Sequence, residues 1–389
     1  MDIVRLGIIG VGNMGSSHLD RISKGECKGL TVTAIADIKE SRRKMVEEKY
    51  EGVKVFDDAI KMMDSGLCDA VLVAVPHYFH PEYSIAAMKR GLHVMCEKPA
   101  GVYTAQVEEM IAEANKHPEL VFGMMFNQRT NCVYRKMKEI IASGELGNIR
   151  RTNWIITNWY RSQCYYDSGD WRATWSGEGG GVLLNQCPHN LDLWQWICGM
   201  PVKVDAKLQY GKWHNIEVED DVTAYVEYAN GATGCFITTT GDCPGTNRFE
   251  VTLDGGKLVC DGSTLKLYKL DTPEPEFTKI NTEPFATPKV TEINVETDGK
   301  NPQHNGVLIA FADAILHGGK LVADGREGIN GLTISNAMHL SSWLGKEVTI
   351  PFDAELYKSE LMKRVATSRH KENVKEVVAD TSSSYNSGK

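Results

Sequence analysis

The segment Glu97-Lys98-Pro99 has residue types that are well suited to chemistry. It follows a short apolar run at residues 93–96, which is typical of a buried strand. An ammonium group at the end of such a strand could hydrogen-bond a substrate hydroxyl and lower the pKa of that hydroxyl as hydride leaves. Glu97 could orient Lys98 or meet a ribose. The alternative for Lys98 is a surface lysine before a turn proline.

A second candidate group follows the glycines at 179–181. We expect a helix over 183–197, in which Asn185 and His189 are four residues apart and share one face. Asp192 is three residues beyond His189 and could reach the same face. Because histidine titrates near neutral pH, His189 suits proton transfer with an alcohol. The alternative is a core histidine on an amphipathic helix.

A glycine motif near the N-terminus indicates a dinucleotide site. Residues 10–15 match G-x-G-x-x-G, after a strand pattern and before a helix pattern. Asp37 lies 22 residues after the last of these glycines, where an acid can bind both ribose hydroxyls and repel a 2′-phosphate. We therefore expect NAD rather than NADP. The motif residues expected at the cofactor are Gly10, Gly12, Asn13, Met14 and Gly15.

Two arginines count against this cofactor preference. Arg42 and Arg43 could recognise a 2′-phosphate, but we expect them on a solvated helix face. Pro76 and His80 follow another strand that ends at the same sheet edge, so we also expect them near the cofactor. His80 could instead only cap the next helix.

Alternating strand and helix patterns predict a doubly wound parallel sheet in the first part of the chain. The predicted strands are 4–9, 30–36, 53–56, 70–75, 93–96 and 121–125. From about residue 202, β patterns predict a large, mainly antiparallel sheet with one face covered by helices and one open. We expect three units: an NAD-binding domain at 1–126, a substrate and oligomerisation domain at 127–355, and an extension at 356–389 with a loose end.

Composition excludes several classes of partner. The chain has 389 residues and a formal net charge of −8, which argues against nucleic acid or an anionic membrane surface. Its ten cysteines form no C-x-x-C pair and no zinc-site spacing, so we expect no metal and reduced thiols. With no leader pattern and no long apolar run, the sequence predicts a cytoplasmic enzyme.

The motifs together resemble those of the glucose–fructose oxidoreductase / inositol dehydrogenase / rhizopine-catabolism (Gfo/Idh/MocA) family. The glycine motif, Glu97-Lys98-Pro99 and the Gly-Gly-Gly…His189-x-x-Asp192 segment occur in the family's order and approximate spacing. The resemblance implies a Rossmann domain and an open-sheet domain that often forms homo-oligomers, here a dimer, tetramer or hexamer. It also implies that Lys98 and His189 line the nicotinamide.

The resemblance further implies substrate contacts from the segment between the domains. Aromatic faces there suit the C–H faces of a pyranose and arginines suit its hydroxyls, although the aromatics could equally serve inter-domain packing. The chain departs from the family pattern at Asn185, where aspartate is usual. An amide cannot take a proton, so His189 is assigned as the base and Lys98 as the polarising group. The expected substrate contacts are Tyr160, Arg161, Trp171, Arg172, Asn185, His189 and His304.

The predicted function is NAD-dependent oxidation of a ring secondary hydroxyl in a sugar, glycoside or cyclitol. Carbon 3 is favoured because of a loose similarity to bacterial glycoside 3-dehydrogenases. One alternative is an NAD-dependent glycosidase that oxidises, eliminates, hydrates and re-reduces. Another is a non-catalytic sugar sensor, against which the intact Lys98 and His189 pair argues.

Overall fold

The N-terminal part of the chain forms a six-stranded parallel sheet. The computed structural model describes residues 2–369, 371 and 374. The strands are β1 (Val4–Ile9), β2 (Leu30–Ala36), β3 (Lys54–Phe56), β4 (Ala70–Val73), β5 (His93–Cys96) and β6 (Phe122–Met124). They pair in the order β3-β2-β1-β4-β5-β6, and every pairing is parallel. This is the predicted doubly wound sheet.

Helices cover both faces of this sheet, because its strands bury apolar side chains on both sides. Leu6, Ile8 and Leu72 belong to one buried cluster, whereas Ile9 and Val71 belong to the other. The helices of this part of the chain are α1 (Asn13–Ser23), α2 (Glu40–Lys49), α3 (Ala59–Asp64), α4 (His80–Met88) and α5 (Thr104–Ala114).

The second sheet has nine strands. They are β7 (Ile149–Ile156), β8 (Lys203–Tyr210), β9 (Glu219–Glu227), β10 (Thr233–Thr239), β11 (Asn247–Leu253), β12 (Gly256–Asp261), β13 (Thr264–Leu270), β14 (Val290–Asn294) and β15 (Val348–Thr349). Their order is β14-β13-β12-β11-β7-β10-β9-β8-β15. The β7–β10 pairing is parallel and the others are antiparallel. The predicted mainly antiparallel sheet is confirmed.

One face of the nine-stranded sheet is buried and the other is open. On the buried face, Trp154 stacks on Phe249 with ring centroids 4.3 Å apart, and Phe236 packs edge-on against Trp154. On the opposite face Ile155 and Tyr225 are exposed. The remaining helices are α6 (Cys132–Ala142), α7 (Gln163–Asp167), α8 (Pro188–Cys198), α9 (Glu274–Ile280), α10 (Gln303–His317), α11 (Gly328–Leu344) and α12 (Ala354–Val365).

The helix expected at 183–197 begins later than predicted. Its first residue is Pro188, which favours the first helical position because the ring fixes φ and the missing N–H is not needed there. Asn185 therefore lies in a turn before α8, and the expected helical i, i+4 relation between Asn185 and His189 is wrong.

Helix α10 lies late in the sequence but packs on the first sheet. Its apolar side chains Val307, Leu308 and Phe311 are in the same buried cluster as Leu6 and Ile8 of β1. Spatial packing thus differs from chain order, and the boundaries 1–126, 127–355 and 356–389 stay a prediction. The expected loose end at 380–389 lies outside the described residues. No helix among the residues described is long and apolar enough to cross a membrane.

The packing of α10 can be tested by truncating one buried side chain. Phe311 is fully buried, so Phe311→Ala should lower the free energy of unfolding by about 3–5 kcal/mol. Ile309 lies on the same helix and is 38% exposed, so Ile309→Ala should cost less than about 1 kcal/mol. Denaturant unfolding measures both changes. Equally small losses of stability in the two variants would contradict a core shared by α10 and the first sheet.

Candidate active site

Three strand ends of the parallel sheet bring the predicted motifs together. Gly10 follows β1, Pro76 follows β4 and Glu97 follows β5. Because β1 pairs with β4 and β4 with β5, these residues lie at one carboxyl edge. That edge is where doubly wound sheets bind ligands.

The glycine motif forms a cradle with room for backbone only. Gly10 has φ +86°, and a Cβ on Gly15 would lie 1.9 Å from the Gly10 carbonyl oxygen. Helix α1 begins at Asn13, with Gly12 as its N-cap, so the first turn directs backbone N–H groups toward a bound anion. This geometry fits the pyrophosphate of a dinucleotide.

Asp37 lies at the end of β2 beside this cradle. Its Oδ2 accepts the Val11 N–H at 2.9 Å and its Oδ1 accepts the Lys39 N–H at 2.8 Å. Arg42 was expected on a solvated face, but its Nη1 lies 3.5 Å from Asp37 Oδ2 and 3.5 Å from the position of a Cβ on Gly12. Arg42 therefore lies at the cradle. Arg43 instead donates to the Asp37 carbonyl.

Glu97 is buried and ionised. Its Oε1 accepts from Nε2 of His18 at 2.7 Å, and its Oε2 accepts the Lys98 N–H at 3.1 Å. Burial raises the pKa of Glu97, but the hydrogen bond and charge of His18, with the charges of His304 and Lys98, lower it to about 2. The His304 ring lies 5.5 Å from the His18 ring. The structure thus places His304 beside the His18–Glu97 pair, where burial lowers its pKa to about 3.

Lys98 and His189 come from different domains and lie within electrostatic range of each other at this edge. The Lys98 ammonium donates to the backbone carbonyl of Asn185 at 3.1 Å. His189 is 2% exposed and lies in the first turn of α8, with its ring 6.4 Å from that of Phe126. Burial and the nearby Lys98 charge hold the pKa of His189 well below its ordinary value. A neutral imidazole can accept a proton.

Asn185 is held by two side chains that motif reasoning missed. Its Nδ2 donates to Oε1 of Glu178, and its Oδ1 accepts from the Tyr165 hydroxyl at 3.4 Å. Glu178 immediately precedes the glycines at 179–181, and a carboxyl group beside three glycines was an available signal. Asp192 does not join this group, because its carboxylate is paired with the buried Arg129 at 2.6 Å.

Two sequence profiles identify the family. The profile described as "Oxidoreductase family, NAD-binding Rossmann fold" matches residues 4–124. The "GFO/IDH/MocA C-terminal domain" profile matches residues 134–259. The chain belongs to the Gfo/Idh/MocA family. The expected resemblance, the enzyme class and NAD as the cofactor are confirmed.

Individual members of the Gfo/Idh/MocA family are moderately similar. The chain is 29% identical over 268 residues to the myo-inositol 2-dehydrogenase of Thermotoga maritima, covering 66% of this chain and 75% of that protein. It is 28% identical over 244 residues to the D-glucoside 3-dehydrogenase of Escherichia coli, covering 59% of this chain and 68% of that protein.

A solved structure shows the same fold. The WlbA dehydrogenase from Bordetella pertussis, in complex with NADH and UDP-GlcNAcA, superposes with a TM-score of 0.76 at 23% identity. The match covers 91% of this chain and 99% of that chain.

The segment expected to contact substrate in this Gfo/Idh/MocA protein clusters around one tyrosine. The guanidinium of Arg172 lies 4.6 Å from the centroid of the Tyr165 ring and 4.6 Å from that of Trp171. The guanidinium of Arg161 lies 5.2 Å from the Tyr165 centroid. Tyr160 is 49% exposed, and its backbone carbonyl accepts a hydrogen bond from Nη1 of Arg161 at 2.8 Å. Four of these side chains thus share a surface, and Tyr160 lies at its margin.

His80 connects two loops of the sheet edge. Its Nδ1 lies 2.6 Å from the Pro99 carbonyl oxygen, and its Nε2 lies 2.8 Å from that of Val75. It is buried, and burial lowers its pKa. Pro76 follows directly on Val75, so His80 can keep both loops in place at the cofactor edge. Within the described part of the chain, no cluster of three or more acidic, histidine or cysteine side chains is arranged for a metal.

The cofactor preference can be tested at Asp37. Asp37→Asn keeps an acceptor for the Val11 N–H but removes the negative charge, so NADH should bind about tenfold more weakly. NADPH should bind more tightly, because the repulsion of its 2′-phosphate is lost and Arg42 remains. Fluorescence titration measures both dissociation constants. Asp205→Asn, at an exposed position on β8 of the second sheet, is the matched control. An unchanged NADH to NADPH ratio would refute this assignment.

Proposed function

We propose that this protein is an NAD-dependent dehydrogenase that oxidises a ring secondary hydroxyl of a pyranose sugar, a glycoside or a cyclitol. The observation that carries the proposal is the placement of the buried His189 and the Lys98 ammonium within electrostatic range of each other at the cofactor edge. A neutral base beside a cation is suited to removing the proton of an alcohol.

Each residue has a distinct role in this proposal. Lys98 donates a hydrogen bond to the hydroxyl oxygen and stabilises negative charge as it develops there. His189 takes the hydroxyl proton on a ring nitrogen while the C–O bond becomes C=O. NAD held by the glycine cradle and Asp37 would supply the acceptor for the hydride that leaves the ring carbon. Asn185 contributes an acceptor that orients a hydroxyl.

The substrate class is supported by the Tyr165 surface. Stacked arginine and aromatic side chains offer hydrogen-bond donors and flat apolar faces together, which suits a polyhydroxylated ring. The similar proteins from Thermotoga maritima and Escherichia coli are named for myo-inositol and D-glucosides. We favour oxidation at carbon 3 of a glucoside. On this proposal Arg161, Trp171 and Arg172 contact the ring, and His304, which lies within electrostatic range of Lys98 and His189, contacts the substrate near the reacting hydroxyl. Tyr160 lies at the margin of the Tyr165 surface.

The proposal is tested by a screen for NADH absorbance with glucosides, free hexoses and inositols. Lys98→Ala and His189→Ala should each lower kcat/KM for the best substrate by roughly 100-fold or more, because proton transfer or polarisation is lost. Lys116→Ala and His317→Ala change exposed residues of the same types and should keep wild-type rates. Full activity in both site variants would overturn the assignment.

The same screen separates the alternatives. Release of an aglycone without accumulation of NADH would favour the glycosidase. Sugar binding without turnover under all conditions would favour the sensor.

We also propose that the open face of the nine-stranded sheet forms a homo-oligomer. Ile155 and Tyr225 are 38% and 40% exposed there, and exposed apolar side chains on one open sheet face fit a protein–protein contact. The ten cysteines are free thiols, which supports the proposed cytoplasmic location.

Light scattering tests the proposed oligomer. Wild type should have a multiple of the protomer mass, and Ile155→Glu should reduce it by placing a charge in the interface. Ile3→Glu changes an exposed isoleucine of the other domain and should leave the mass unchanged. A monomeric wild type would contradict the proposal.

A further inference from the structure

We infer that Glu178 is a positioning residue for the oxidation. It fixes the Asn185 amide so that Oδ1 faces the Tyr165 surface. The pair of an acid at 178 and an amide at 185 thus takes the place of the aspartate that is usual in the family at position 185. The inference rests on the proposed function. Its first support is the direct hydrogen bond from Asn185 Nδ2 to Glu178 Oε1.

The donors and acceptors around Tyr165 set the orientation of the amide independently. The Tyr165 hydroxyl accepts from Nη1 of Arg172 at 3.0 Å and from Nε2 of Gln186 at 3.3 Å. With both acceptor positions taken, its proton is left for Asn185 Oδ1, 3.4 Å away. The amide therefore presents its oxygen to Tyr165 and its NH₂ group to Glu178.

Glu178 is itself held in place. It is 2% exposed, and its Oε2 accepts the Ala173 N–H at 2.5 Å. Ala173 has φ +52°, a left-handed conformation that is uncommon for alanine and needs support from its surroundings. Both carboxyl oxygens thus have defined donors, as a buried carboxyl group requires.

The position of Glu178 disfavours an ionised aspartate at 185 while Glu178 is itself ionised. Two carboxyl groups in contact cannot both ionise without strong repulsion. Placing the amide at 178 and the carboxylate at 185 would preserve the hydrogen bonds. A glutamine at 178 could accept the Ala173 N–H through its oxygen and donate to an aspartate at 185 through its NH₂ group.

The effect of Glu178 extends to the catalytic lysine. The backbone carbonyl of Asn185 accepts a hydrogen bond from the Lys98 ammonium at 3.1 Å. Asn185 therefore bonds to Glu178 through its side chain and to Lys98 through its backbone. Movement of Asn185 would displace the ammonium as well as the Oδ1 acceptor. We therefore expect the loss of Glu178 to affect kcat more than KM.

Other charges face the pair and must be considered in any pH experiment. Burial raises the pKa of Glu178, while the charge of Arg172 lowers that pKa and the charge of Glu219 raises it. The groups that also face Glu178 or Asn185 are Lys98, Tyr165, Tyr166 and Lys371, together with the His77 ring, which contacts the Glu178 backbone.

Four proteins test the inference: wild type, Glu178→Gln, Asn185→Asp and the double variant. Each single variant should lower kcat by at least about tenfold with a smaller change in KM. Asn185→Asp should lose further activity as the pH is raised from about 6 to about 9, because the proton shared by the two carboxyl groups is then lost. The double variant should return to within about threefold of wild type and lose this pH dependence.

The control is Glu217→Gln, which removes the charge of another glutamate that accepts backbone N–H groups near this segment and should keep the wild-type kcat. The inference is overturned if Glu178→Gln keeps the wild-type kcat, or if the double variant is no better than Asn185→Asp. If Glu178 had only a structural role, Glu178→Gln would lower the unfolding temperature. The second substitution, Asn185→Asp, would then not restore kcat.

Thermal unfolding separates this inference from the proposed function. If wild type oxidises no polyol, the proposed function fails, but the pairing is still measurable without substrate. The unfolding temperature of Asn185→Asp should then fall relative to wild type as pH rises, and Glu178→Gln should suppress that fall. Parallel pH profiles for Asn185→Asp and wild type would overturn the inference in that case.

Discussion

The hydrogen bond from the Lys98 ammonium to the backbone carbonyl of Asn185 is the contact on which the site depends. It joins the end of β5 in the parallel sheet to the turn before α8 in the second domain, over 3.1 Å. The cofactor cradle belongs to the first domain and His189 to the second. On the proposed mechanism, this contact ties the loop that carries Lys98 to the turn that leads into the helix of His189.

Burial controls the charges around this contact. Glu97 stays ionised because His18 donates to it, although burial alone would raise its pKa. His189 is held in its neutral form, because burial and the neighbouring cation lower its pKa. The result is a fixed anion and a cation next to a neutral base. This distribution suits the removal of a proton from an alcohol.

Features encoded by local spacing could be predicted from the sequence. The parallel sheet follows from short motifs at strand ends, and the structure places the glycine cradle, Asp37 and Lys98 at such ends. Features that depend on contacts distant in sequence could not. The packing of α10 on β1 joins segments about 300 residues apart, and no periodicity of α10 indicates its partner.

The surroundings of Asn185 also could not be predicted from the sequence, although they involve a short segment. A helical pattern over 183–197 suggested that Asn185 and His189 share a helix face, but Pro188 starts the helix after Asn185. The turn that results directs the amide to Glu178 and Tyr165. The exchange of aspartate for asparagine was visible in the sequence, whereas its compensation by Glu178 required the three-dimensional contact.

Deuterium transfer tests the central claim most directly. Methyl glucoside and myo-inositol, each deuterated at every ring carbon, would be incubated with the enzyme and NAD, and the reduced cofactor analysed by NMR and mass spectrometry. Direct oxidation of a ring hydroxyl predicts deuterium in the reduced cofactor with at least one of the two substrates. A reduced cofactor without deuterium, or no reduction with either substrate, would contradict the account.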